Sequence, residues 1–214
     1  MQVIRTLSPI LAWLLAVAVQ PARASVLGCP SDSLVVHIAQ ANSFQIVFDG
    51  RGVGQVFEAR DTLIASVSVW IDSPYDSTCY KMQLFMTSAD STGVPNQRDI
   101  IFLGPVAEGC FGRESTEVNF DLNPPRSLPR PGKYFFVVNE ESCLGDFNVL
   151  SDTTNSYPGG EVWRTGTTFC DGRGPGGLVG PSFATSDLIF KIKFCDTMTP
   201  VRRSSWGRLK MRYR

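Results

Sequence analysis

The sequence predicts an all-β protein, folded as a single-domain antiparallel β-sandwich or barrel. Apolar and polar residues alternate in many short segments, which is the period of a half-buried strand. Turns rich in Gly, Pro, Asp and Ser separate these segments, and no window of the main body has apolar residues at helical spacing. About ten short strands without a helical crossover indicate antiparallel sheets.

The individual strands follow from this alternation. In Thr62–Asp72, four apolar residues alternate with two serines and Trp70, as in a strand with one face in the core. Lys133–Asn139 has apolar residues on both faces of the predicted strand, which indicates a central strand. The four prolines from Pro124 to Pro131 predict an extended crossover. The other predicted strands are Leu34–Ile38, Phe44–Phe48, Gln55–Glu58, Cys79–Ser88, Asp99–Gly104, Glu117–Leu122, Phe147–Leu150, Glu161–Arg164 and Leu188–Cys195.

The composition narrows the class of protein. With 43% hydrophobic and 19% charged residues, 19 Gly and 14 Pro, the 214-residue chain is typical of a folded, turn-rich protein and unlike a disordered, collagenous or coiled-coil one. Its only histidine, His37, argues against a histidine-ligated metal or a Ser-His-Asp triad. The adjacent Glu140 and Glu141 would point to opposite faces of a strand, so they cannot flank one bond. No catalytic residue is predicted.

The chain divides into three parts. Residues 1–24 read as a secretory signal peptide, with Arg5, an apolar run of about ten residues that is too short to span a bilayer, and a cleavage site after Ala24. A lipoprotein signal ending at Cys29 is the alternative, but lipidation would leave an odd number of cysteines. Residues 25–197 form the predicted sandwich, with 12 basic and 20 acidic side chains. Residues 198–214 form a tail with six basic side chains and no acidic one.

The six widely spaced cysteines predict three disulfides in an exported protein. A hairpin between Cys79–Ser88 and Asp99–Gly104, turning at Ser91–Asn96, would place Cys79 opposite Cys110. Cysteine number alone leaves fifteen connectivities open. The remaining pairs are expected as Cys143 with Cys170 and Cys29 with Cys195.

Several segments together resemble a known group. Leu63–Trp70, Met82–Phe85, Asp90–Pro95 and Pro131–Val138 are similar to secreted bacterial jelly-roll modules, the choice-of-anchor and galactose-binding-like sandwiches. The resemblance spans about residues 55 to 194. It implies a jelly-roll sandwich that is extracellular or on the cell surface, commonly without assigned activity, and it transfers no catalytic residue.

Two kinds of ligand are considered for this sandwich. Exposed aromatic rings stack on the apolar faces of sugars, so carbohydrate is one candidate; the alternative for each ring is packing in the core. Calcium is the other, because Asp72 and Asp76 lie in an oxygen-rich loop and jelly-roll modules often bind this ion by resemblance; turn formation is the alternative. No other cofactor is expected. The candidate sugar-binding residues are Trp70, Tyr75, Tyr157 and Trp163.

The basic tail predicts a contact with an anionic membrane surface, if its Trp, Leu and Tyr share a helix face. A sorting or anchoring tag, a disordered, solubilising end and a strip that lies on the acidic body of the protein remain alternatives. Nucleic acid is not expected as a partner because the body is acidic. The residues of the predicted membrane contact are Arg202, Arg203, Trp206, Arg208, Lys210, Arg212 and Arg214.

The sequence therefore predicts a secreted or cell-surface, non-catalytic β-sandwich, with carbohydrate or an envelope polymer as its candidate ligand. A structural or adhesive envelope protein anchored by the basic tail is the first alternative. An exported hydrolase is the second.

Overall fold

The computed structural model describes residues 31–48, 50–141, 146–166, 176–181 and 186–195. The predicted signal peptide, the basic tail, Cys29, Cys143 and Cys170 lie outside these residues. Within the described residues there are thirteen strands, one 3₁₀ turn at Ile38–Gln40 and no α-helix. The strands are β1 Ser31–Val35, β2 Ser43–Val47, β3 Gly52–Ala59, β4 Leu63–Asp72, β5 Thr78–Ala89, β6 Pro95–Phe111, β7 Thr116–Ser127, β8 Gly132–Glu140, β9 Phe147–Asp152, β10 Val162–Thr165, β11 Leu178–Pro181, β12 Asp187–Leu188 and β13 Phe190–Cys195.

The strands form two antiparallel sheets, which confirms the predicted all-β class and is consistent with a β-sandwich. Sheet A has the order β1-β13-β4-β9-β12, with β7 paired to β4 and β2 paired to β9. Sheet B has the order β11-β10-β3-β8-β5-β6. As predicted from its apolar character, β8 is central, because it pairs with β3 on one side and β5 on the other.

The core lies between the two sheets. The ring of Phe136 on β8 packs against Phe57 on β3 at 6.2 Å and against Phe190 on β13 at 5.6 Å between centroids, and so joins the sheets. On β4, Val67 and Val69 are fully buried, as the alternation predicts. Burial of this kind contributes about 1.5–3 kcal/mol for each large apolar side chain.

The outer face of sheet B differs from the sequence expectation. Phe85, which shares the parity of Lys81 and Gln83, is buried in a second apolar cluster. A period-two pattern assigns one face to solvent, but a sheet covered on both sides buries both faces. The cluster comprises Val56, Phe85, Phe135, Val137 and Trp163.

Two local predictions are corrected. Pro124 and Pro125 lie within β7, not in a crossover, at a register shift where β7 bulges away from β4. Because β7 pairs only with β4 among the described strands, the missing proline N–H groups deprive no second neighbour of a bond. The first predicted strand is displaced toward the N-terminus, because the chain turns at Ile38–Gln40.

The predicted Cys79–Cys110 disulfide is confirmed. The two residues are cross-strand partners on β5 and β6, at the end of the hairpin opposite its turn. Cys195 is also disulfide-bonded, to a cysteine outside the described residues. The pairings Cys29–Cys195 and Cys143–Cys170 stay predictions.

Candidate functional site

The structure separates the four candidate aromatic residues. Trp163 is only 9% exposed and packs in the outer-face cluster of sheet B, the packing alternative considered for each ring; sugar binding at Trp163 stays a prediction. Trp70 lies on the outer face of sheet A, with the Lys191 Nζ 5.5 Å from its ring centroid. Tyr75 is 58% exposed in the turn between β4 and β5. Tyr157 lies in the loop after β9 and lines a cleft.

This cleft, the Tyr157 cleft, has a volume of about 420 Å³. Its wall combines apolar and charged side chains from elements far apart in the sequence. The end of β3 and the β3–β4 turn supply the charged groups, whereas β1, β13 and the loop after β9 supply most of the apolar surface. The lining residues are Ser33, Leu34, Glu58, Arg60, Asp61, Tyr157, Pro158, Gly159 and Phe194.

Tyr157 is held in place from three directions. Its hydroxyl oxygen accepts a hydrogen bond from the Glu58 backbone N–H at 2.8 Å. Its own backbone N–H donates to Asp187 Oδ2 at 2.7 Å, and its ring packs edge-on against Phe190 at 5.6 Å. Because these contacts involve both sheets, the ring is a preorganised wall of the cleft and needs no ordering when a ligand binds.

Two glycines allow the loop to lie against the ring and the sheet. A Cβ at Gly159 would lie 2.2 Å from the Tyr157 hydroxyl oxygen, and one at Gly160 would lie 2.1 Å from the Val56 carbonyl oxygen. Neither distance is compatible with a side chain unless the loop moves. The sequence Tyr157-Pro158-Gly159-Gly160 therefore sets the shape of the cleft.

Below the loop lie two buried carboxylates, Asp152 and Asp187, which are cross-strand partners on β9 and β12. Burial raises the pKa of Asp187 to about 6, and the Asp152 charge adds to this effect. Burial also opposes ionisation of Asp152, but hydrogen bonds from Ser156, Thr154 and Asn42 outweigh it and lower the pKa to about 2. The two carboxyl groups therefore titrate far apart.

We expect the stability of the fold to pass through a maximum near pH 4. Between about pH 6 and pH 4 the folded state binds a proton at Asp187 that the unfolded state mostly lacks, so acidification over this range stabilises by about 2 kcal/mol. Below pH 4 the stabilisation from ionised Asp152 is lost as the pH approaches 2. Urea unfolding at unit pH steps from 2 to 8 measures the profile.

The variant Asp187→Asn tests the assignment. It should flatten the rise between pH 7 and pH 4 and leave the fall below pH 4 in place. At neutral pH it removes a buried charge, but it also replaces one of two acceptor oxygens, used by Gln55 and Tyr157, with an amide donor. A wild-type profile that is flat from pH 4 to 7 would show that Asp187 does not titrate in this range.

The two predicted calcium ligands, Asp72 and Asp76, each bond to a different side chain of the protein. Asp72 Oδ1 accepts from Asn148 Nδ2 at 2.8 Å, and Asp76 pairs with Arg113 at 2.8 Å. Across the described residues, no group of three or more metal-ligating side chains converges. Calcium binding at Asp72 and Asp76 stays a prediction.

Sequence reasoning missed the partners of Tyr157. Arg60 and Asp61 look like ordinary turn residues, and no motif connects them to a tyrosine almost a hundred positions later. It also missed a shallow groove of about 540 Å³ on the outer face of sheet A, beside Phe44, which is 49% exposed. Gln45, the next residue on β2, does not line this groove: it is buried, and its side-chain oxygen accepts two hydrogen bonds from Arg164 of β10.

No helix among the described residues has the length and apolar character needed to cross a membrane. The chain matches no known protein-family model, and no curated protein is significantly similar to it.

Proposed function

We propose that the protein is a secreted or cell-surface, non-catalytic module of jelly-roll type that binds carbohydrate in the Tyr157 cleft. The observation that carries the proposal is the composition of the cleft wall: a fixed aromatic ring and apolar side chains beside Glu58, Arg60 and Asp61. A sugar presents an apolar ring face and a rim of hydroxyl groups. Stacking would use the first, and carboxylate and guanidinium groups would bind the second.

The size of the cleft supports a small ligand segment. A volume of about 420 Å³ lies in the range of small-molecule sites and suits one or two sugar units. The exported, disulfide-bonded character predicted from the sequence agrees with a ligand of the cell exterior, and the Cys79–Cys110 bond is compatible with that compartment.

An exported hydrolase has less support. Glu58 and Asp61 both line the cleft, but they come from one chain connection, and Glu58 is exposed to solvent. A general acid in glycoside hydrolysis needs a carboxyl group in an apolar, buried environment opposite a second carboxylate. Asp187 is buried opposite Asp152, but its oxygens accept hydrogen bonds from Gln55 and Tyr157 inside the protein and it does not line the cleft.

A glycan array tests the proposal, with the chain from Ser25 to Arg214 and a second chain that ends at Thr197, each with and without calcium. We expect specific binding that survives removal of the tail. Calorimetry with the best glycan then locates the site. Arg60→Ala and Asp61→Ala should each weaken binding about 10- to 100-fold, because each removes a charged hydrogen-bonding group.

Matched controls are Arg130→Ala and Asp99→Ala, which remove the same side chains from exposed positions that do not line the cleft. Both should bind within about twofold of the wild type. Phe44→Ala tests the shallow groove on sheet A instead. Binding that is lost in Phe44→Ala but not in Arg60→Ala would place the binding site in the shallow groove and not in the Tyr157 cleft. An array without any bound glycan would reject a carbohydrate ligand.

A further inference from the structure

Strand β6 carries a row of exposed apolar side chains at the edge of sheet B. Ile100, Leu103 and Val106 are 46%, 50% and 42% exposed. Among the described strands, β6 is hydrogen-bonded only to β5; β7 lies beside it without pairing, and Leu103 and Pro105 line a small cavity together with Asp121 of β7. Exposed apolar edges are normally avoided in proteins because they associate with other chains.

The three side chains lie on the same face although they are three residues apart. Ile100 pairs with Thr87, Leu103 with Phe85 and Val106 with Gln83. The three β5 residues are two positions apart and therefore share one face of the sheet. A register shift between each two of these pairs adds one residue to β6. Because of this bulge, β6 residues that are three positions apart still point to the same face. The row therefore continues the apolar outer-face cluster of sheet B out to its edge.

The row is complementary to itself when a second copy runs antiparallel to it. With a twofold axis at Leu103, that residue meets its own copy, and Ile100 on one chain lies opposite Val106 on the other. The same register places Arg98 opposite Glu108. Both are exposed, and neither forms an ion pair with a described residue.

We propose that this face of β6 binds a second copy of the chain, in an antiparallel dimer with its twofold axis at Leu103. Twofold symmetry requires that residue i meet residue j and that j meet i, and the pairs 100 with 106 and 98 with 108 satisfy it. Two ion pairs of opposite direction would flank an apolar centre. A peptide of unrelated sequence would not satisfy both conditions.

The contact is carried by side chains. Pro105 has no backbone N–H, and the register shifts break the regular row of outward-facing donors and acceptors on β6. A continuous sheet through both copies is therefore not expected. The dimer would be held by the apolar row and the two Arg98–Glu108 pairs, and it should weaken at high salt.

Cysteine cross-linking tests the axis, because a residue on a twofold axis lies next to its own copy. Leu103→Cys should form a covalent dimer rapidly under mild oxidation. The matched control is Val179→Cys, which is 59% exposed on β11 at the opposite edge of sheet B. Equal rates of dimer formation in the two variants would overturn the proposal.

Charge reversal tests the register in the chain without an added cysteine. In sedimentation velocity, Arg98→Glu and Glu108→Arg should each weaken self-association at least about fivefold, because each puts like charges together twice. The double variant should restore it. A wild type that stays monomeric over the whole concentration series, or single reversals without effect, would contradict the dimer.

Discussion

Gly54→Ala is expected to lower the free energy of unfolding by about 4 kcal/mol, or to prevent folding. A Cβ at this position would lie 2.0 Å from the Phe136 carbonyl oxygen and 2.6 Å from the Phe135 ring. Gly54 is paired with Val137 on one side and Trp163 on the other, so β3 cannot move aside without disturbing both neighbouring strands. Chemical denaturation monitored by tryptophan fluorescence gives the value.

The matched control is Gly177→Ala. A Cβ at Gly177 meets no heavy atom within 4 Å, so the same added methyl group should change the free energy of unfolding by less than about 0.5 kcal/mol. If Gly54→Ala costs less than about 1 kcal/mol, the close packing of Phe135 across β3 is not rigid. The outer-face cluster of sheet B would then be a loose cover and not a second core.

The success of the sequence in predicting the strands has a simple physical cause. Most strands have one face in the core, and a period of two in apolar residues follows directly from that geometry, as in β4. The turn at Asp90 is equally local, because its carboxylate accepts from the backbone N–H groups of Thr92 and Val94. The register of the hairpin is less local, because the bulges give β6 five more residues than β5 between the pair Ala89 with Pro95 and the pair Cys79 with Cys110.

What the sequence does not predict involves properties that no local window contains. The burial of Trp163, one of the candidate sugar-binding residues, is set by β3 and β8, which are distant in sequence. Burial of Gln45 depends on Arg164 of the other sheet. Exposure of an aromatic ring is therefore decided by tertiary packing, and of the four candidates only Tyr157 lines the Tyr157 cleft.

The cleft itself could be predicted only in part. The sequence indicates a loop at Tyr157–Gly160, since a proline and two glycines follow the tyrosine. It does not indicate that the loop meets the β3–β4 turn. That contact depends on the Asp187 and Glu58 hydrogen bonds to Tyr157, which join residues about 30 and 99 positions apart.

Removing the Cys79–Cys110 bond is expected to lower the free energy of unfolding by about 3–4 kcal/mol. The cysteines are 31 residues apart and lie at the open end of the β5–β6 hairpin, so the bond closes the whole hairpin loop in the unfolded chain. The double variant Cys79→Ala, Cys110→Ala should keep the native near-ultraviolet circular dichroism spectrum, because the backbone hydrogen bonds between β5 and β6 remain. Urea unfolding should show a lower midpoint and a larger m value.

Reduction of the wild type provides the comparison. Cys195 is also disulfide-bonded, so a reducing agent removes more than the one bond that the double variant lacks. Each additional crosslink restricts the unfolded chain further, and we therefore expect the reduced wild type to be less stable than the oxidised double variant. Equal stability would assign all of the disulfide stabilisation to the β5–β6 hairpin. A loss below about 1 kcal/mol in the double variant would show instead that the β5–β6 ladder suffices to order this edge of sheet B.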